Sequence, residues 1–248
     1  MSYELKKSLD TVLDFLPDEK QTLLIVDDED NNLQLLKRTF RGKYNILMAH
    51  NGLEALEAFD KCMRANGYPY ALAYGTLLGA MREHNFIPHD DDLDLSMWID
   101  DYDENLAQHI AGYGFVHKLT FLVDDGKTAR QDTFTYKGVM VDISYMYRQG
   151  DDEAYQCWFA LQPGCSTREE SIEKFGGLLP KKLTIPYCRE NEEIDFLGLK
   201  VFVPSNAIEV LQYRYGATWQ TPIPYYREMP PAVSLWSEKV GVMTVHNS

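Results

Sequence analysis

Apolar residues at the start of the chain follow helical and strand spacings in turn. Leucine and valine recur at helical spacing over residues 5–16. The apolar runs QTLLIV (Gln21–Val26) and YNILMA (Tyr44–Ala49) are typical of buried strands. A helix is predicted after each run, over Asn31–Phe40 and over Gly52–Ala65. The pattern therefore predicts a β-α-β-α segment preceded by a helix.

Beyond residue 100, alternating apolar positions and turn residues predict a region rich in strands. Helices are predicted over Asp103–Tyr113 and from a Ser205 cap to Tyr213. The predicted strands, strand pairs and apolar segments are Phe115–Val123, Gln131–Tyr136 with Gly138–Tyr145, Tyr155–Ala160, and a hairpin over Ile194–Val203. The prolines and the pair Tyr225-Tyr226 in the tail, Pro222–Ser248, predict irregular structure that is partly ordered by the core.

The stretch Tyr74–Leu95, YGTLLGAMREHNFIPHDDDLDL, combines a helix start with an acidic strand. It opens on a Gly-Thr turn, continues through an apolar segment and ends in a run of aspartates. Side chains two apart on a strand project to the same face. The aspartates that share one parity are Asp90, Asp92 and Asp94. Because the leucines between them take the other parity, a half-buried strand with an acidic face is predicted.

A second acidic strand follows at Gly138–Tyr145, GVMVDISY. Its valines and isoleucine share one parity, which leaves Asp142 on the opposite face. An acidic run by itself is usually a solvated loop, and that interpretation remains open from composition. Two like charges about 4 Å apart repel by roughly 4 kcal/mol at an effective dielectric constant near 20, so a cluster tends to be solvated, to share protons or to bind a cation. Two strands with outward carboxylates favour a site, and hard oxygen ligands favour Mg²⁺ or Mn²⁺.

The residues GTLLGAMREHNFIPHDDDLDL resemble the signature of the LicD family of phosphotransferases, which includes fukutin-related proteins. The segment Leu197–Pro222, with its Tyr-Gly-x-x-Trp ending, is similar to the C-terminal block of that family. The resemblance covers roughly Leu53 to the C-terminus. It implies an α/β (α+β) protein whose nucleotidyltransferase-fold core has a mixed sheet. The family pattern is a Gly-Ser/Thr turn, an Asp-x-Asp strand and a third carboxylate on a later strand.

The resemblance also implies an activity and its site residues. The expected reaction moves a phospho-substituent, such as phosphocholine or ribitol phosphate, from a CDP-linked donor to a sugar hydroxyl of a glycan, as in cell-surface glycan modification. The expected cofactor is Mg²⁺ or Mn²⁺. On this sequence the metal ligands are Asp92 and Asp94, and Asp142 is either a third ligand or the base that accepts the hydroxyl proton.

Four further residues are expected to bind substrate. A helix that starts at Thr76 would offer free N–H groups to the donor phosphates, and Gly75 would allow close approach. Asp90 would line the entrance. Arg82 could contact a phosphate through its planar fork or form a surface ion pair with a neighbour such as Glu83 or Asp90.

The N-terminal part resembles a different family. The stretches IVDDEDNNLQLLKRTF and MAHNGLEALE are similar to the first half of a response-regulator receiver domain. The resemblance implies weak cation binding at Asp27 and Asp28. The next strand, within Tyr70–Leu78, lacks the carboxylate that a receiver would phosphorylate. We therefore predict a receiver-like fragment over residues 1–51, with a structural role, and a LicD-like domain over residues 52–248, joined by natural recombination or by engineering.

Charge and composition limit the classes of binding partner that are expected. The net charge of −14 repels nucleic acid and anionic membranes, so neither is expected to bind. No apolar run approaches the ~20 residues of a transmembrane helix, and no signal peptide is recognisable. The four cysteines lack zinc-site or disulfide spacing and are expected to be reduced thiols. The sequence predicts a cytoplasmic protein.

Three functions compete at this point. The first is the LicD-like transferase. The second is a signalling or binding module, built on a degenerate receiver with a non-catalytic transferase-like domain. The third keeps the transferase fold without activity. The missing phospho-acceptor argues against the second, and the presence of all three carboxylates argues against the third.

Overall fold

A computed structural model describes residues 22–26, 39–40, 45–49, 52–87, 90, 92–222 and 232–246 of the 248-residue chain. The chain divides into two compact units, Met1–Asn51 and Gly52–Ser248. Among the helices that are described, none has the length and apolar character needed to cross a membrane. The acidic motif lies wholly in the larger unit.

In the smaller unit, the two strands predicted from apolar runs are present. Strand β1 covers Thr22–Val26 and strand β2 covers Asn45–Ala49. They pair in parallel, with Leu24 opposite Leu47. The helix predicted near the N-terminus and the pair Asp27-Asp28 lie outside the described residues. So does the helix predicted over Asn31–Phe40, apart from its last two residues.

The larger unit begins with helix α1, close to its predicted bounds. Within the described residues its α-helices are Gly52–Asn66 (α1), Tyr74–Leu78 (α2), Leu106–Ala111 (α3), Arg168–Phe175 (α4) and Ala207–Tyr215 (α5). A π-helical turn, Gly79–Glu83, follows α2 directly. The strands are Ala71–Leu72 (β3), Asp92–Trp98 (β4), Val116–Val123 (β5), Ala129–Tyr136 (β6), Val139–Gln149 (β7), Glu153–Ala160 (β8), Leu179–Pro186 (β9), Asn191–Phe196 (β10), Leu199–Pro204 (β11), Val233–Leu235 (β12) and Val242–Val245 (β13).

Nine of these strands form one curled, mixed sheet, which confirms the predicted α+β class. The order β12-β9-β8-β7-β6-β5-β13 has antiparallel neighbours throughout. Strand β4 joins β7 in parallel, and β3 pairs with β4. Strands β10 and β11 form a separate hairpin around Gly198, as predicted.

Strand β7 lies at the centre of this arrangement. Its first part is paired with β4 on one side and with β6 on the other, and its last residues pair with β8. Val141, Ile143 and Tyr145 share one parity and are fully buried. Asp142 projects from the opposite face, as the alternation in the sequence predicts.

The C-terminal region differs from the prediction in two details. The tail was expected to be irregular and partly ordered by the core, and its described part supplies β12 and β13, one at each end of the sheet order. The prolines of the tail all precede residue 232, so the alternating residues after them can pair as strands. The cap position of α5 is Asn206 rather than Ser205, and the Asn206 amide donates a hydrogen bond to the carbonyl of Pro186.

A buried carboxylate, Asp132 on β6, ties three strands together. Arg130 donates two hydrogen bonds to it, at 2.7 and 3.1 Å, and stacks over the ring of Tyr102 at 4.0 Å. The hydroxyls of Thr120 on β5 and Tyr145 on β7 also donate to Asp132, at 2.6 and 3.0 Å. Burial opposes ionisation, but hydrogen bonds to the carboxylate from His117 and Arg130 outweigh it and lower the pKa of Asp132 to about 2.

We predict that Asp132→Asn lowers the free energy of unfolding by about 3–5 kcal/mol at pH 7, because it leaves the charge of Arg130 buried without its partner. Urea unfolding measures this. A carboxyl whose pKa is lowered by folding stabilises the protein above its unfolded value, about 3.9, and loses that contribution as pH falls through about 2. The wild type should therefore lose stability over this acid range more steeply than the variant.

The matched control is Asp195→Asn. Asp195 pairs with Lys200 at 2.7 Å on the surface, where its side chain is 74% exposed. Exposed pairs contribute little, so this variant should unfold almost as the wild type does. Equal losses in the two variants would contradict the role assigned to Asp132.

Candidate active site

Parallel pairing of β4 with β7 brings the two acidic motifs together. The register places Asp94 opposite Asp142 and Asp92 opposite Met140. Paired residues of neighbouring strands project to the same face, so Asp94 and Asp142 lie side by side. Leu93 and Leu95 point to the other face and are buried. The apolar face of β4 thus anchors the strand while its acidic face lines a cleft.

Three carboxylates converge at the start of β4. Each of Asp90, Asp92 and Asp94 offers an oxygen within 4.8 Å of the others, and all three residues are half-buried. Asp90 precedes the strand, and its N–H donates to the carbonyl of Ile87 at 3.0 Å. Clustered carboxylate oxygens of this kind can hold a hard divalent cation. Asp90, which was expected at the entrance, is therefore part of the convergent group.

The Gly-Thr pair positions these carboxylates from the helix side. The N–H of Gly75 donates to Oδ2 of Asp94 at 3.0 Å, and the hydroxyl of Thr76 accepts from the N–H of Asp94 at 2.9 Å. A Cβ atom on residue 75 would lie 2.0 Å from Oδ2 of Asp90, so only glycine leaves room for that carboxylate. Helix α2 starts at Tyr74, not at Thr76 as predicted, and Tyr74 has a strained φ of +39°.

Asp142 is held by side chains of the neighbouring strand. The hydroxyl of Thr133 donates to its Oδ1 at 2.5 Å, and the amide of Gln131 donates to its Oδ2 at 3.0 Å. Burial raises the pKa of Asp142 to about 6, and the charge of Asp92 adds to this increase against the opposing bond from Thr133. Its orientation is fixed while it remains able to take up a proton near neutral pH.

Asp94 experiences the charges of the other three aspartates. Burial raises its pKa well above the usual value, followed by the charges of Asp92, Asp90 and Asp142. The N–H of Gly75 acts in the opposite direction. Repulsion of this kind makes the metal-free cleft unfavourable for a fully ionised cluster and favours a bound cation.

The cleft has a volume of about 490 Å³ and contains basic and aromatic groups as well as acidic ones. Its basic residues are Lys118, Arg168 and Arg214, and its large aromatic residues include Tyr74, Trp158 and Tyr215. Sequence reasoning missed Arg168 and Arg214 as site residues. Arg214 lies in the Tyr-Arg-Tyr-Gly sequence of the C-terminal block, and that resemblance was the signal that could have drawn attention to it.

Arg82 forms hydrogen bonds with Glu83 and Trp219. Its Nε donates to the carboxylate of Glu83 at 2.7 Å, and one terminal nitrogen donates to the carbonyl of Trp219 at 3.1 Å. Of the two roles considered for Arg82 from the sequence, the structure shows the ion pair. The positive charge in the cleft comes from other residues.

We predict that Asp142→Asn stabilises the metal-free protein at high pH. A carboxyl whose pKa is raised by folding stabilises the protein below its unfolded value, about 3.9, and this contribution is lost as pH rises through about 6. In EDTA at pH 8 the variant should exceed the wild type by about 1–3 kcal/mol, and at pH 4 the two should agree. Urea unfolding at both pH values measures the difference.

The control for that experiment is Asp151→Asn, at a turn position whose side chain is 97% exposed. It should change stability equally little at both pH values. A stability of Asp142→Asn below that of the wild type at pH 8 would show that Asp142 is not under electrostatic stress.

Comparison with known proteins places this site in a family. The family described as LicD/FKTN/FKRP, nucleotidyltransferase domain, matches residues 67–206, more than half of the chain and the whole segment from Gly75 to Asp142. The chain is also similar to the ribitol-5-phosphate transferase FKTN of Macaca fascicularis, Homo sapiens and Mus musculus, at 30%, 29% and 30% identity over 187 residues.

These alignments cover 73% of this chain and 36% of each relative, so the chain spans about a third of the length of the curated proteins it matches. The resemblance inferred from the Gly-Thr and Asp-x-Asp motifs is confirmed. By these motifs and by the extent of the match, the chain belongs to the LicD/FKTN/FKRP family.

Proposed function

We propose that the chain is a transferase that depends on a divalent cation and moves a phospho-substituent from a CDP-linked donor to a hydroxyl of a glycan. The observation that carries the proposal is the register of β4 and β7, which sets Asp94 beside Asp142 in a cleft that also contains Asp90 and Asp92. Transfer of a phosphoryl group depends mainly on positioning and electrostatic stabilisation, which such a cluster can supply.

The relatives favour one class of transferred group. They are named as ribitol-5-phosphate transferases, which supports a polyol phosphate on this chain too. Phosphocholine is the second candidate, from the resemblance to LicD proteins. Both groups would arrive as a CDP-linked donor whose phosphates carry negative charge. Cations in the cleft would be required to bind that negative charge.

The convergent carboxylates fit Mg²⁺ or Mn²⁺. Asp90, Asp92 and Asp94 would hold the ion, since their oxygens are hard ligands within 4.8 Å of one another. When bound, the ion would neutralise charge that develops on the phosphate oxygens. Gly75 contributes by fixing Oδ2 of Asp94 through its N–H and by leaving room for the side chain of Asp90.

Asp142 is assigned as the base. Thr133 and Gln131 orient its two oxygens, and it lies beside the convergent group. In the transfer, the acceptor oxygen forms a bond to the phosphorus of the transferred group, and the bond from that phosphorus to the bridging oxygen of the diphosphate breaks. CMP leaves with the bridging oxygen, and the hydroxyl proton passes to Asp142.

The competing signalling function has less support. A receiver would need a phospho-accepting aspartate after its second helix, and the strand found there, Ala71–Leu72, carries none. The parallel pair β1–β2 is compatible with a receiver-like origin of the smaller unit. For that unit we propose a structural role without phosphorylation.

We predict that three substitutions separate metal binding from proton transfer. Asp92→Asn and Asp94→Asn should abolish Mn²⁺ binding, measured by electron paramagnetic resonance, together with CMP release. Asp142→Asn should keep Mn²⁺ binding and lose CMP release by about 10²–10⁴-fold, the usual contribution of a general base. The donors are CDP-ribitol and CDP-choline, with a panel of sugar glycosides as acceptors.

Asp151→Asn, the exposed turn variant, is the control and should behave as wild type in both assays. Near-normal turnover of Asp92→Asn or Asp94→Asn would refute the metal site. Loss of Mn²⁺ binding in Asp142→Asn would make Asp142 a ligand instead of the base.

A further inference from the structure

An arginine of α5 is held in the cleft by aromatic rings. The guanidinium of Arg214 lies 4.4 Å from the ring centre of Trp158 and 5.0 Å from that of Tyr74. It also lies 5.6 Å from the ring centre of Tyr215. Rings on several sides restrict the rotamers of a long side chain and attract its charge. Arg214 is therefore fixed before any ligand arrives.

This arginine has hydrogen-bonding capacity that the described part of the protein does not use. Its Nε is buried and has no hydrogen-bond partner among the described residues. Four aspartates line the same cleft, yet among the described ion pairs none involves Arg214. An arginine that served only to neutralise these carboxylates would be paired with one of them. A buried donor without a partner is costly, which points to a ligand that completes it.

A second arginine of the cleft also lacks an ion pair among the described residues. Arg168 is the first residue of α4 and lies 5.6 Å from the ring centre of Phe121. It too is absent from the ion pairs between described residues, while the other arginines of the buried network, such as Arg130, are paired. The charge of Arg168 acts on Asp142, yet neither arginine forms an ion pair with a carboxylate among the described residues. Two arginines that line a common cleft in this way can bind an anion.

The chemistry of the anion follows from the shape of the donors. A guanidinium presents a planar fork that matches two oxygens of a phosphate, and two arginines match a group with several such oxygens. The same anion must tolerate the nearby aspartates, which it does when a cation lies between them. A diphosphate can contact a cation at the aspartates and the arginines at once.

We infer that Arg214 and Arg168 form the subsite for the diphosphate of the nucleotide-linked donor, in the cleft that the aspartates of β4 also line. This rests on the proposed function for the identity of the donor. The positions of the arginines and the unfilled Nε of Arg214 are independent of it. The donor would thus be bound between a cation held by the aspartates and the two arginines.

Calorimetric titration of the full chain with inorganic pyrophosphate, CDP and cytidine tests the subsite, with Mn²⁺ and in EDTA. Arg214→Gln should lower the affinity for pyrophosphate and for CDP about 10- to 100-fold, the usual range for hydrogen bonds to a charged group. Arg168→Gln should also lower the affinity for both ligands. Cytidine, which lacks phosphate, should bind all variants equally.

Two further variants separate the role of the fork from charge and from packing. Arg214→Lys keeps the charge but loses the fork, and its affinity for pyrophosphate should fall between those of the wild type and Arg214→Gln. Arg189→Gln is the matched control, because Arg189 pairs with Asp100 and Asp101 on the surface. It should bind pyrophosphate as the wild type does.

Mn²⁺ affinity, measured on every variant, distinguishes this inference from the proposed function. If Arg214→Gln binds Mn²⁺ as the wild type does but has a lower affinity for pyrophosphate, the subsite is supported. Unchanged pyrophosphate affinity in that variant overturns it, and so does a parallel loss of Mn²⁺ affinity, which would mean that Arg214 only shapes the cleft. If the wild type binds no Mn²⁺, the metal site fails, and the titration in EDTA still decides whether the arginines bind pyrophosphate.

Discussion

Repulsion among four half-buried carboxylates is the constraint on which the site depends. Asp94 is surrounded by three like charges, and the protein tolerates them because backbone and side-chain donors are aimed at their oxygens. The opposite face of the same strands is apolar and buried, at Leu93, Leu95 and Ile143. Burial of that face holds the acidic face in place. A bound cation would relieve the repulsion that remains.

Strand β6 connects the site to the stability of the fold. Gln131 and Thr133 project to the cleft and orient Asp142, whereas Asp132 between them projects to the other side and binds Arg130. Alternation along one strand therefore supplies the cleft on one face and the buried ion pair on the other. We expect damage to the Asp132 cluster to disturb the orientation of Asp142 as well, since the two sets of side chains share a backbone.

Local alternation was sufficient to predict the acidic strands and both hairpins, because each depends on neighbouring residues. The leucines beside Asp94 and the valines beside Asp142 set the two faces in this way. What joins distant segments could not be read from the sequence. The parallel register of β4 with β7, the strands of the tail and the placement of Arg214 in the cleft depend on tertiary packing. The sequence before Gly52 resembles only the first half of a receiver domain.

The central claim is that the aspartates of β4 hold a divalent cation. Anomalous diffraction from crystals soaked in Mn²⁺ tests it most directly, because the signal locates the ion without an assay. We expect one strong peak bonded to carboxylate oxygens of Asp92 and Asp94, at about 2.0–2.6 Å as is usual for hard cations. Mn²⁺ peaks confined to other parts of the molecule, with the cleft empty at saturating Mn²⁺, would contradict it.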